Sequence, residues 1–331
     1  MLATANGIDR AGVLDRGREV VRLEAGALDE LAEALDETFV SACETILTAG
    51  RRVVITGMGK SGHIARKIAA TFAATGTPAL FLHPAEAAHG DLGMITQGDV
   101  LLVLSNSGNT VELRAVLEYA RKLGTRIIGI VSRRESLVND FADIVLCLPR
   151  IREACAANMA PTTSTTLQLA LGDALAMAVM DMRGVSKTQM RALHPAGTIG
   201  LRLTPIAELM HGREELPLVT SQTGMPDVIS VITSCRFGLA GVVDDRGELV
   251  GVITDGDLRR NFDKLQTAVA SEVMTRAPKS IPSDMLAGDA LLYLSDSKIT
   301  AAFVVNRLDA LHHARPIGIV HIHDLLKHGL G

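Results

Sequence analysis

The chain has 331 residues, enough for about two domains, and its 47% apolar content supports a sizeable core. A formal charge of −4 with no basic run argues against a nucleic-acid partner. Cys43, Cys147, Cys155 and Cys235 are far apart and form no C-x-x-C pair. With no visible secretory signal and no apolar run of about 18 residues, the expectation is a soluble cytoplasmic protein with free thiols and no membrane partner.

Residues 15–49 show helical spacing in Val20, Leu23, Leu28, Leu31, Leu35 and Phe39. Apolar runs at 52–56, 78–82, 100–104, 126–131 and 143–148 then alternate with helical patterns at 62–74, 110–123 and 136–141. This alternation predicts an α/β fold with a doubly wound parallel sheet. A long Ala/Leu/Met helix over 162–183 opens after Pro161.

Two of the strand-to-helix turns carry chemistry. Gly57-Met58-Gly59-Lys60-Ser61-Gly62 follows Val53, Val54 and Ile55; Ser105-Asn106-Ser107-Gly108-Asn109-Thr110 follows the run at 100–104. Glycine lets a ligand approach the backbone, and a helix start offers unpaired N–H groups to an anion. The G-x-G-x-x-G spacing also fits a dinucleotide site, but His83-Pro84 stands where a ribose-binding acid is needed. A P-loop needs glycine where Val54 stands. What remains is a sugar-phosphate site, with the hydroxyls of Ser105, Ser107 and Thr110 around the phosphate.

Beyond residue 203 the pattern repeats. Glu208-Leu209-Met210 returns as Glu272-Val273-Met274, and the run from Gly251 to Leu258 returns from Gly318 to Leu325. Each copy reads as a Met-containing start, a helix, two strands and a closing helix. Extra residues fit a longer loop over 308–315, and 197–204 reads as a linker.

The stretches 57–65, His83-Pro84, 86–93, 105–108, Glu153-Ala154-Cys155, Ala160-Pro161-Thr162 and His194-Pro195 resemble the D-arabinose-5-phosphate isomerase family over nearly the whole chain. The resemblance implies a flavodoxin-like sugar isomerase (SIS) domain over 1–203. Two α+β cystathionine-β-synthase (CBS) domains follow, over 204–268 and 269–331. It implies interconversion of D-ribulose 5-phosphate and D-arabinose 5-phosphate through an enediol(ate), feeding Kdo synthesis for lipopolysaccharide. An isomerase of another sugar phosphate and a non-catalytic sugar-phosphate sensor are the competing readings. The sensor sits badly with four chemically competent side chains and no helix-turn-helix segment.

By resemblance the catalytic positions fall on Lys60, Glu112, Glu153 and His194. The chemistry agrees, because moving a proton between C1 and C2 needs a base, an acid and positive charge near the oxyanion. Taken alone, Glu112 would be a carboxylate complementing a helix start, and Glu153 a solvated charge among arginines. Ser61, Gly76, Thr77, His83 and His89 match substrate-contacting positions. No cofactor is implied; His83 is associated with an inhibitory, dispensable zinc. Ala156, Ala157 and Asn158 depart from the family's Pro-containing turn. In the repeat, Thr254 and Asp257 match a nucleotide's ribose contacts, so a nucleotide or nucleotide sugar is the expected ligand. His321 replaces the threonine in the second copy, with Asp324 kept. A homotetramer is the implied assembly.

Overall fold

Five aliphatic runs become the five strands of one parallel sheet. In the computed structural model, which describes residues 9–306 and 314–330, they are β1 (Val53–Gly57), β2 (Ala79–Leu82), β3 (Val100–Leu104), β4 (Arg126–Val131) and β5 (Ile144–Cys147). Their order is β2-β1-β3-β4-β5. β1 and β3 are buried along their whole length because helices cover both faces. Alternate residues serve opposite cores. Ile55, Leu102 and Leu104 meet Ile46, Ile68, Phe72, Leu171 and Leu175 on one face; Val54, Leu101 and Val103 meet Leu113, Val116 and Leu117 on the other. Phe72 is fully buried, and its truncation to alanine would cost about 3–5 kcal/mol.

The helices of this unit are α1 (Arg10–Glu33), α2 (Glu37–Leu47), α3 (Gly59–Ala74), α4 (Pro84–Ala87), α5 (Arg114–Lys122), α6 (Leu137–Phe141) and α7 (Thr163–Arg183). The helical stretch expected over 15–49 is two helices. The Asp36 side chain accepts the Thr38 N–H at 2.8 Å and starts a new one. α3 and α7 run side by side in the same direction: Lys67 pairs with Asp173 midway, and Arg183 at the end of α7 reaches Thr77 just past the end of α3. Their N-termini therefore lie together at the carboxyl edge of the sheet.

The chain divides into two compact units, Met1–Ser186 and Lys187–Gly331. The segment expected as a linker over 197–204 holds a helix of the second unit. α8 (Lys187–Leu193) and α9 (Thr198–Arg202) belong to that unit. Leu201 packs on its core beside Ala287 and Ala290, and the Ala287 N–H bonds the Thr204 carbonyl at 2.8 Å.

The first repeat copy supplies β6 (Leu218–Thr220), α10 (Met225–Cys235), β7 (Leu239–Val243), β8 (Leu249–Thr254) and α11 (Asp255–Arg260). The second supplies α12 (Ala270–Val273), β9 (Thr275–Arg276), β10 (Ser280–Pro282), α13 (Ala287–Asp296), β11 (Ala301–Val305), β12 (Pro316–His321) and α14 (Ile322–Leu325). The expected inter-strand loop lies mostly outside the described residues. The two starts are exchanged. β9, from copy two, pairs with β8 of copy one, and His211, from copy one, pairs with Ile319 in β12. Met274 packs over Gly251 and Met210 over Gly318, where a Cβ would collide with either sulfur.

Candidate active site

Strand order reverses between β1 and β3, and crevices at such switch points take ligands. The two turns singled out from sequence leave these strands side by side, since Gly57 pairs with Leu104. α3 begins with no side-chain cap and no acid in its first turn, which leaves its N–H groups open to an anion. Gly62 is required there: a Cβ would sit 2.6 Å from the Gly57 carbonyl oxygen. Lys60 is exposed in the first turn of α3, and Ser61 is half-buried beside it.

The second turn is built by its own hydroxyls. Ser105 is 3% exposed, and its Oγ lies 2.8 Å from Thr110 Oγ1 and accepts the Gly108 N–H at 3.1 Å. Ser107 Oγ accepts the Asn109 N–H at 3.2 Å and is exposed. Gly108 adopts φ +71°, which favours glycine. Ser105 and Thr110 thus shape the turn, and Ser107 faces outward. Residues the sequence left unremarked clamp it. Ser132 Oγ donates to the Asn106 carbonyl at 2.6 Å, and Asn109 Oδ1 accepts the Leu137 N–H at 2.9 Å. These contacts join segments far apart in sequence and carry no local signature.

Glu112 stands in a 3₁₀ turn, Val111–Leu113, just past this loop. It is exposed, and its side chain makes no hydrogen bond or ion pair among the described residues. Glu153 is held. Its Oε2 accepts the Thr162 N–H at 2.8 Å, the Thr162 hydroxyl at 3.2 Å and the Ser164 N–H at 3.2 Å, so it caps α7. Burial alone would raise its pKa, but the hydrogen bonds from Ser164 and Thr162 outweigh it and keep the carboxyl below the ordinary 4.5. Asn158, at φ +52°, accepts the Glu153 N–H at 2.6 Å. The loop is tied further by Cys155, whose sulfur accepts the N–H groups of Met159 and Ala160 at 3.0 and 3.1 Å; these lower the thiol pKa. A cavity of about 940 Å³ opens beside Glu153, lined by Asn106, Arg133, Arg134, Arg150 and Arg152 among others.

The remaining expected residues are spread out. His83 follows β2 on the same sheet edge, its Nδ1 buried without a partner among the described residues, and His89 is exposed beyond α4. Gly76 and Thr77 precede β2 and so lie at the opposite, amino edge. Thr77 is 2% exposed, and its hydroxyl accepts from Arg183 at 3.2 Å. One chain does not bring these two to the loops. His194 belongs to the second unit, between α8 and α9, with Nδ1 2.9 Å from the Met190 carbonyl. Among the described residues no group of three or more His, Cys, Asp or Glu side chains could hold a metal ion, and no helix is long and apolar enough to cross a membrane.

In the repeat, Thr254 and Asp257 form the capping box of α11. Asp257 is 4% exposed and accepts from Thr254, Arg260 and Thr275. Beside them lies a cleft of about 590 Å³ whose walls carry Arg259, Arg260, Lys279 and Lys298.

The SIS domain family matches residues 46–178, and the CBS domain family matches residues 206–264 and 270–331. The arabinose 5-phosphate isomerase KdsD of Pseudomonas aeruginosa is 42% identical over 317 residues, covering 95% of this chain and 96% of that protein. KdsD of Escherichia coli K12 is 39% identical over 318 residues, covering 95% of each. The structure of E. coli CFT073 c3406 in complex with A5P aligns with a TM-score of 0.55 at 34% identity, over 57% of this chain and 100% of that one. Similarity running the length of such relatives, on this fold and this loop geometry, means that the chain belongs to the arabinose 5-phosphate isomerase family, an SIS domain followed by a tandem CBS pair.

Proposed function

We propose that this protein is an aldose–ketose isomerase that interconverts D-ribulose 5-phosphate and D-arabinose 5-phosphate. One observation carries the reading: an anion-ready helix start with Lys60, a hydroxyl-rich turn and two carboxylates of different freedom share one sheet edge. The open N–H groups of α3 and Lys60 hold the phosphate or the developing enediolate. Glu112, being free, moves the proton between C1 and C2, while Glu153 stays ionised and holds its loop in shape. His194 serves ring opening. The arabinose 5-phosphate feeds Kdo synthesis in the cytoplasm. We assign a homotetramer, an active metal-free enzyme inhibited by zinc at His83, and a nucleotide or nucleotide sugar in the CBS cleft. The cationic walls of that cleft suit a phosphate-bearing ligand.

The test is a panel of pentose and hexose phosphates with purified protein in D₂O. The expected result is conversion of the pentose pair with deuterium at C1 or C2. Conversion of hexose phosphates alone, or product free of deuterium under all conditions, overturns the assignment.

A further inference from the structure

The two CBS copies build one framework around different chemistry. In copy one, Asp257 accepts from its own Thr254 at 2.7 Å, from Arg260 at 2.6 Å, and from Thr275 of the exchanged start at 3.1 Å. The repeat sets His321 against Thr254, Asp324 against Asp257 and Lys327 against Arg260. It sets His211 against Thr275, each directly after the repeated methionine. Two of the three contacts recur with these replacements, while His321 accepts the His323 N–H at 3.2 Å rather than meeting Asp324 as Thr254 meets Asp257. Lys327 lies 3.7 Å from Asp324, and His211 Nε2 lies 3.0 Å from Asp324 Oδ2. His211 has a further contact that Thr275 cannot make: its Nδ1 is 3.0 Å from Glu215 Oε2. Ionised carboxylates only accept, so both contacts are hydrogen bonds only when both ring nitrogens carry protons, which is the imidazolium form. Phe237 closes the site edge-on, with ring centroids 5.0 Å apart.

We propose that the CBS pair takes its ligand only in the Thr254–Asp257 cleft, and that the equivalent place in copy two is a proton-held clasp formed by His211 between Glu215 and Asp324. The ligand half rests on the nucleotide reading above; the clasp half does not. The clasp joins the start of copy one to the closing helix of copy two, reinforcing the backbone pair between His211 and Ile319. Copy two also lacks the hydroxyl that Thr254 offers a ribose, because His321 stands in its place and accepts the His323 N–H.

The groups around His211 are Glu215 on its own copy, Asp324 and Lys327 on the closing segment, His321 at the end of β12 and His323 on α14. Burial alone would lower the His211 pKa, but the bonds to Asp324 and Glu215 raise it above 6.5. A raised histidine stabilises the fold fully below its unfolded value and loses that contribution as pH rises through the folded value. His321 acts in the opposite sense, since burial and then His323 lower its pKa. The His211 contribution is therefore read as a difference between variants, not from the wild type alone.

The experiment has two arms on the full chain. In the first, thermal unfolding is followed from pH 5 to 9 for wild type, His211→Thr and Asp324→Asn. His211→Thr installs the residue that copy one already uses. The expected result is a deficit of about 3 °C in both variants at pH 5.5 that closes by pH 9. A deficit independent of pH, or none, overturns the clasp. In the second arm, AMP and ATP are titrated by calorimetry. One site per chain, lost in Asp257→Asn and retained in His211→Thr, supports the single cleft. Two sites in wild type overturn it. No binding overturns the ligand half together with the nucleotide reading, while the first arm still decides the clasp.

Discussion

Glu112 and Glu153 are the same residue type on loops at the same edge of one sheet, yet their surroundings make them opposites. Glu112 sits exposed in its turn and touches no polar partner among the described residues; Glu153 accepts three hydrogen bonds and anchors the start of α7. A carboxylate committed to a helix start is a weak base, because protonation would forfeit the bonds that hold it. The comparison teaches that proximity to a ligand cavity does not identify a proton-transfer group. Its unspent hydrogen-bonding capacity does.

The sharpest way to break this comparison is Glu112→Gln. It should lower kcat by roughly two orders of magnitude or more, with KM nearly unchanged, in a direct isomerisation assay. Full activity would remove Glu112 from the chemistry. The corresponding change at the other carboxylate, Glu153→Ala, should act first on stability. It removes the α7 cap, costing about 1–2 kcal/mol, read as a lower denaturant midpoint at unchanged slope. The pH dependence follows from the depressed Glu153 pKa. Its contribution is present above 4.5 and is lost as pH falls through the folded value, so the variant's deficit should shrink in acid. A large kcat loss with no change in stability would reverse the two roles.

A smaller effect is expected from Ser105→Ala. It loses the bonds to Gly108 and Thr110 for about 1 kcal/mol and should loosen substrate binding, seen as a raised KM. Smallest is the response to metal. Chelator-treated enzyme should keep its activity, and His83→Ala should need several-fold more zinc for half-inhibition. Restoration of a dead, chelated enzyme by zinc would make the metal catalytic instead.

Much of this molecule follows from local pattern. The five strands lie within a residue or two of the apolar runs, because an aliphatic segment in a parallel sheet is buried on both faces. The glycine and hydroxyl turns were legible because only small residues allow their backbone. The repeat was visible in the return of Glu-x-Met and of the glycine-led strand. Tertiary structure alone decided the rest. Glu153 became a helix cap through Thr162 and Ser164, whose relation to it depends on how the intervening loop folds back. Thr77 went to the far edge of the sheet because it precedes a strand rather than following one. The repeat starts changed places, so that His211 meets Asp324 across 113 positions. Periodicity encodes which face of an element is buried. Hydrogen bonds between distant segments depend on the chain path, which no short window of sequence contains.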